Sequence, residues 1–204
     1  MAIVINGSGT ISGISVGGLP DSIVDAGTLA TDSVIAAKLK SDAITALDLP
    51  AGSVLQVVQT VKTDTFTTTS TSFTDITGVT QAITPTASSS KVLVSATLNI
   101  GNSASSGHMV QVRLLRGSTV IALGDAAGNR QRVFAVAGQN GANIDQNNVS
   151  INFLDEPSTT SATTYKVQII TEGQTAVVNR SGIDGDVTYA GRSISTITAQ
   201  EIGA

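Results

Sequence analysis

Residues able to perform catalysis or hold a metal are few and scattered in this 204-residue chain. His108 is its one histidine and cysteine is absent, so a Ser-His-Asp triad or a histidine-rich metal site would depend on a single imidazole. Asp155 and Glu156 are adjacent, and neighbouring residues of a strand point to opposite faces, so the two cannot act as a carboxylate pair. We favour a solvent-facing histidine at a strand start and two polar residues before the turn at Pro157.

Two other segments have the residue types of binding loops. In "SGIDGDVTYAG", Asp184 and Asp186 could chelate Ca²⁺ together, but a lone Asp-Gly-Asp lacks the further oxygen ligands of such a site, and a glycine-rich turn is favoured. The segment "GDAAGNRQR" lacks the Lys-Ser/Thr of a phosphate loop, and its Arg130 and Arg132 are better explained as a solvated or intersubunit ion-pair face. We therefore predict no catalytic residue, no metal site, no cofactor and no enzymatic activity.

Composition excludes several classes of partner. The net charge is −4 and the 11 basic residues are dispersed, so no concentrated basic face is available for nucleic acid. The opening "MAIVING" has neither the basic region of a signal peptide nor the length of a membrane anchor, which predicts no membrane insertion. Ser, Thr, Gly, Val, Ile and Ala dominate, as is typical of β-rich and turn-rich proteins.

Residues 21–49 form a repeat of ten to eleven residues, with an Asp at the head of each unit. Five apolar positions within it recur at five-residue spacing: Leu29, Val34, Leu39, Ile44 and Leu49. A helix advances about 100° per residue, a coiled coil needs an average spacing of 3.5 and a strand needs a spacing of two, so no single ordinary element explains this period.

One copy of the repeat has too few apolar residues to fold alone, since burial of an aliphatic side chain contributes roughly 2 kcal/mol and ordering each residue costs roughly 1–2 kcal/mol. Either several copies of the chain share an axis, or the segment coils as a pentapeptide-repeat solenoid. The segment is short for a solenoid and few of its positions suit one, so we favour the shared axis. The apolar residues predicted to face it are Ile23, Leu29, Val34, Leu39, Ile44 and Leu49.

From Ser53 onward the pattern is that of short strands punctuated by turns. The predicted strands cover residues 53–61, 72–77, 80–85, 90–100, 108–117, 118–123, 131–138, 149–155, 164–171, 175–179 and 193–202. This spacing predicts an antiparallel, jelly-roll-like β-sandwich. The chain as a whole is thus mainly β, with a leader over residues 1–20, a thin repeat with short strands and helical turns over residues 21–52, and the sandwich over residues 53–204.

Loops on a rigid sandwich commonly carry recognition, and three loops here are rich in Asn, Gln, Ser and Gly. They are "GNSASSG" (101–107), "AGQNGANIDQNN" (137–148) and "NRSGIDGDVTYAGR" (179–192). Such loops can bind a glycan by hydrogen bonds without any catalytic group.

Several segments resemble parts of bacteriophage tail-fibre proteins. "GGLPDSIVDAGTLATDSVIAAKL" resembles the repeated segments of those fibres. Four later segments are similar to a domain recurrent in fibres of tailed phages: "TSFTDITGVTQAITPTASSSKVLV", "LLRGSTVI", "INFLDEPSTTSATTYKVQI" and "STITAQEIGA". The resemblance covers nearly the whole chain.

The resemblance implies a homotrimeric virion protein made in the host cytoplasm and located on the phage tail. It implies attachment through the N-terminal segment over residues 1–20, with Ile3, Val4 and Ile5 as the attachment residues, to a tail adaptor, nozzle or baseplate protein. The distal β-domain would meet a host surface glycan or protein, through residues that the resemblance does not identify. The chain is short for a fibre, so a capsid-surface head fibre or decoration protein stays an alternative. A third possibility, a depolymerase tailspike, would need an acidic cleft or paired carboxylates, and the sequence shows neither.

Overall fold

The computed structural model of the protein describes residues 49–103, 108–138 and 145–204. Eleven strands occur within these ranges: β1 (Val54–Lys62), β2 (Phe66–Thr68), β3 (Thr74–Ile83), β4 (Lys91–Asn102), β5 (Met109–Arg116), β6 (Thr119–Ile121), β7 (Ala135–Gly138), β8 (Gln146–Asp155), β9 (Thr163–Thr171), β10 (Ala176–Val178) and β11 (Ser195–Ile202). The leader and the repeat up to residue 48 lie outside the described residues.

The strands form two antiparallel sheets that pack face to face. Sheet A has the order β1-β11-β4-β8, and the short strands β10 and β2 extend it beside the end of β4. Sheet B has the order β3-β9-β5, with β6 and β7 both pairing with β5. The arrangement β1-β11-β4-β8 against β3-β9-β5-β7 is that of a jelly roll, which confirms the predicted fold class for this part of the chain.

Alternation of side chains explains the core. In β4, residues 92, 94, 96, 98 and 100 are buried, while those between them face outward or are half-buried. Strands β9 and β11 alternate in the same way. Each of these strands therefore contributes one inward row to the space between the sheets, where the buried members of the hydrophobic cluster are aliphatic except for Tyr165.

Two strand predictions differ from the structure. The segments predicted as separate strands over 72–77 and 80–85 belong to one strand, β3, whose register shifts between Asp75 and Thr80. Gly78 has a φ of 83°, which lets the chain bulge there without ending the strand. The strand predicted over 131–138 is limited to β7, because Arg132 and Val133 hydrogen-bond to Gly124 instead of entering the sheet.

Different strand ends and loops lie at the two ends of the sandwich. At the basal end, Gly52 N–H donates to Gly203 O at 2.7 Å, so the start of β1 and the end of β11 lie together, near the start of β4. At the opposite end, here called the loop end, lie the end of β4, the start of β8 and the segment between β10 and β11.

Candidate functional site

The described parts of the three polar loops meet at the loop end. Ser103 N–H donates to Thr175 O at 2.9 Å, which joins the segment after β4 to the turn before β10. Gln146 Nε2 donates to Gly191 O at 3.0 Å and Ser193 Oγ donates to Gln146 Oε1 at 2.6 Å, which joins the start of β8 to the loop before β11. The remaining loop residues, 104–107 and 139–144, lie outside the described residues.

Asn179 fixes the start of the segment over residues 179–193, here called the tip loop. It is fully buried and has a φ of 65°, a left-handed conformation that Asn tolerates better than most residues. Its Nδ2 donates to Lys62 O and Asp64 O, both at 2.9 Å, and its Oδ1 accepts from Ser195 Oγ at 2.6 Å. One side chain therefore ties the tip loop to β1 and β11.

Gly101 lets the tip loop lie directly on the end of β4. A Cβ at this position would lie 2.6 Å from Arg180 O and 2.9 Å from Val177 Cγ2. Those distances are shorter than a carbon can approach, so any larger residue would push the tip loop away.

Beyond this fixed start, the tip loop exposes its apolar side chains. Tyr189 is 72% exposed, and Ile183 and Val187 are also exposed. Asp184 and Arg192 both line an open depression. They form an ion pair there, with 2.6 Å between Asp184 Oδ1 and Arg192 Nη2. An exposed phenol ring beside charged and amide groups can stack on a sugar or apolar side chain while its neighbours form hydrogen bonds.

Amide and hydroxyl groups on sheet A border the tip loop. Asn99 Nδ2 donates to Ile194 O at 2.7 Å, Asn148 Nδ2 donates to Asn99 Oδ1 at 3.4 Å, and Ser150 Oγ donates to Asn148 Oδ1 at 3.3 Å. These groups carry no charge and lie at the surface, so they retain capacity for further hydrogen bonds.

The basal end holds a different kind of cluster, which sequence reasoning missed. Asp155 is buried and accepts two hydrogen bonds at 2.9 Å from Arg116 Nη1 and one at 2.7 Å from Tyr165 Oη. Burial raises the pKa of Tyr165 and its bond to Asp155 raises it further, so the phenol stays protonated and donates. Glu156 faces the other way and pairs with Lys91 at 2.7 Å, which confirms that the two acids point to opposite faces.

Glu201 forms a second basal cluster and is also fully buried. Its oxygens accept from Gln56 Nε2 at 2.6 Å and from Thr86 N and Oγ1 at 2.7 Å. Burial raises the pKa of Glu201, but the hydrogen bonds from Gln56 and Thr86 oppose it, and the pKa stays below its ordinary value. Both basal acids are thus occupied by protein groups and suited to holding strands together.

The remaining candidate residues from the sequence, His108, Arg130 and Arg132, lie at the surface and form no shared site. His108 lies one residue before β5, partly exposed, with Nδ1 3.4 Å from Glu172 Oε2. Arg130 and Arg132 donate to the backbone carbonyls of Ala127 and Gly124. Over residues 49–103, 108–138 and 145–204, no three His, Asp or Glu side chains are grouped to hold a metal ion. The same residues contain no helix able to cross a membrane.

Of the predicted axis and attachment residues, the structure describes Leu49 alone. Leu49 is 41% exposed beside the basal end, where it lines a pocket with Leu55 and Gly203. The others lie outside the described residues: Ile23, Leu29, Val34, Leu39 and Ile44 of the predicted axis, and Ile3, Val4 and Ile5 of the predicted attachment segment.

Comparison with known proteins gives only distant similarity. No protein-family model and no curated protein matches the chain. Among solved structures, the PRD1 vertex protein P5 aligns at a TM-score of 0.39 and 14% identity, over 74% of this chain and 100% of that one. The infectious bursal disease virus Gx strain aligns at 0.38 and 17% identity, over 73% of this chain and 37% of that one. The VP2 subviral particle of the same virus aligns at 0.39 and 14% identity, with the same coverage. TM-scores below 0.5 carry no argument about function.

Proposed function

We propose that this chain is a non-enzymatic virion structural protein: a trimeric bacteriophage tail fibre that attaches to the tail through its N-terminal segment. In this proposal the loop end of the β-sandwich is presented to the host cell for recognition and adsorption. The repeat over residues 21–49 supports the trimer, because one copy has too little apolar surface to fold alone.

The observation that carries the proposal is the placement of the polar loops relative to the point where the chain enters the sandwich. Leu49 and the start of β1 lie at the basal end, while Asn102, Gln146 and the tip loop lie at the other. Strand β4 runs between the two ends, and its 12 residues span roughly 37 Å at about 3.4 Å per residue. A domain held at its basal end would present these loops outward.

The chemistry of the loop end suits binding better than catalysis. Tyr189 is exposed, whereas the acids at the basal end are buried and fully hydrogen-bonded. Asp184 and Asp186 line one depression, but Asp184 forms ion pairs with Arg192 and Arg180, so it is not left free as one of two catalytic carboxylates. An exposed ring on a loop that also holds the ion pairs of Asp184, at the same end as the amides and hydroxyls of sheet A, fits a surface glycan or a polar protein patch.

A capsid-surface head fibre or decoration protein is the second candidate. The shortness of the repeat, which covers residues 21–49, favours it, because a long reach from the virion needs a longer shaft. Both candidates use the same trimer and the same outward loop end, and differ in the virion protein that holds the N-terminal segment.

Imaging of labelled particles separates the two candidates. The chain has no cysteine, so Tyr189→Cys introduces a single thiol at the loop end to which a gold label can be attached. We expect the gold label to lie beside the tail, at a distance from the tail surface. Label over the capsid surface would favour the second candidate, and particles without label would contradict both.

Adsorption tests the recognition role. Purified full-length protein is expected to compete with phage for host cells, and Tyr189→Ala should weaken the competition at least tenfold. Val136→Ala is the matched control, since Val136 is an exposed apolar residue of β7 on the other sheet. Equal competition by Tyr189→Ala and wild type would remove the tip loop from recognition.

A further inference from the structure

The outer face of sheet A contains an uncharged surface that spans four strands. Three rows of paired residues run across β1, β11, β4 and β8 with their side chains pointing away from the core. The rows are Val57-Gln200-Leu93-Leu154, Gln59-Thr198-Ser95-Asn152 and Val61-Thr196-Thr97-Ser150. We call these twelve residues the uncharged face. They cover about 400 Å² of sheet at strand spacings of about 4.8 Å and 3.4 Å per residue.

The outer face of sheet B has the composition expected of a surface in water. There the row across β3, β9 and β5 is Asp75-Gln168-Arg113. Lys166 Nζ donates to Asp75 Oδ2 at 2.8 Å, Gln168 bonds both Asp75 and Arg113, and Arg113 lies 3.8 Å from the centre of the Phe73 ring. The bond from Lys166 lowers the pKa of Asp75 despite the opposing effect of burial. The two outer faces of one domain are therefore chemically different.

Three apolar residues of the uncharged face are exposed to solvent in a single chain. Val57 is 57% exposed, and Val61 and Leu154 are each about half exposed. Val54 is exposed as well, but its row reaches Lys91, whose ion pair with Glu156 marks the basal edge of the uncharged face. Apolar side chains grouped on a flat face without charges are typical of a surface that another protein covers, since charged residues are depleted at the centres of interfaces.

The position of this face along the chain indicates what covers it. Leu49, the last apolar residue of the repeat, is five residues before Val54, and five residues span no more than about 17 Å even when fully extended. If three copies meet at Leu49, each copy's β1 must start within about 17 Å of that meeting point, and so within about 34 Å of the other two. No unrelated protein is held so close to this face by the chain itself.

We infer that the uncharged face is the interface through which the β-domains of the trimer pack against one another, with β1 nearest the shared axis. This inference rests on the trimer of the proposed function and adds the surface that the copies use. The occupant is a second copy of this chain, and sheet B with its ion pairs stays in solvent.

Thiol labelling of the full-length protein tests whether the face is covered. Val57→Cys and Val136→Cys each place one thiol on an exposed strand position in a chain without cysteine, and Val136 is 48% exposed on β7 of sheet B. In a single chain Val57→Cys would react with a bulky maleimide at least as fast as Val136→Cys. We expect it to react at least tenfold more slowly. Equal rates would overturn the inference.

Charge insertion tests which molecule covers the face. Val57→Arg places a cation in the uncharged face, and Val136→Arg is the control on sheet B. We expect light scattering to give a trimer for wild type and Val136→Arg, and at least a tenfold rise in the concentration at which Val57→Arg dissociates. If Val57→Cys is protected while Val57→Arg dissociates like wild type, something other than a second copy covers the face and the inference is wrong.

The two proposals fail differently. A trimeric wild type whose Val57→Cys labels freely would overturn the interface and leave the trimeric fibre standing. A monomeric wild type at micromolar concentration would overturn both.

Discussion

The two ends of the sandwich use the same residue types in opposite ways. At the basal end Tyr165 is buried and donates to Asp155, whereas at the loop end Tyr189 is 72% exposed. Glu201 is enclosed by donors at the basal end, whereas the half-exposed Asp184 forms ion pairs with Arg192 and Arg180 at the surface. A phenol or carboxylate is therefore informative about function only once its surroundings are known.

The difference teaches how one small domain separates stability from recognition. Buried carboxylates surrounded by hydrogen-bond donors are costly to disturb, and Asp155 and Glu201 lie at the end where the chain enters. Exposed groups contribute little to stability and are free to change, and they lie at the end that we propose to meet the host.

Asp155→Ala should be the most damaging change. It leaves the buried Tyr165 hydroxyl without its acceptor and Arg116 without its carboxylate, and we expect the free energy of unfolding to fall by about 3 kcal/mol. Denaturant unfolding measures this. Tyr165→Phe, which removes only the hydroxyl, should lose about 1 kcal/mol. A loss below 1 kcal/mol for Asp155→Ala would show that the basal end does not depend on this cluster.

Gly101→Ala should show that the loop end is rigid where the tip loop starts. The new methyl group would overlap Arg180 O and Val177 Cγ2, so we expect a loss of about 2 kcal/mol. Gly138→Ala is the control, because a Cβ there would meet nothing within 4 Å. If both variants unfold like wild type, the tip loop is not held on β4.

Glu201 should make stability depend on acid pH. Its pKa is lower in the folded protein than its ordinary value of 4.5, so the unfolded chain binds the proton more readily. The stabilisation is complete above about pH 4.5 and is lost as the pH falls through the folded-state pKa. We expect wild type to lose more unfolding free energy than Glu201→Gln between pH 6 and pH 3. Parallel curves for the two proteins would contradict this.

Tyr189→Ala should leave the free energy of unfolding within about 0.5 kcal/mol of wild type, because the ring is mostly in solvent. Thermal or denaturant unfolding checks this, alongside the adsorption assay. A loss above 1 kcal/mol would mean that the ring packs on its own domain and is not reserved for a partner.

Alternation of apolar and polar residues predicted the sandwich well, because the residues of each strand alone determine which of its side chains face the core. Asp155 illustrates what alternation cannot provide. Its adjacency to Glu156 predicted opposite faces, but its burial depends on pairing with Val92 of β4, and its partners Arg116 and Tyr165 belong to the other sheet. The meeting of three polar loops at one end likewise follows from the strand order of the whole sandwich, which no single loop encodes.

Two backbone hydrogen bonds join the residues just before β1 to the residue just after β11: Gly52 N–H donates to Gly203 O, and Gly203 N–H donates to Ser53 O. This closure has an evolutionary consequence. Since the domain begins and finishes at one point, it can be transplanted between host proteins as a cassette with little distortion of the recipient. In the function that we propose, recombination that swaps such cassettes would change the host target and leave the attachment segment unchanged. A peptide fused after Ala204 would, by the same geometry, emerge beside the basal end and not beside Tyr189.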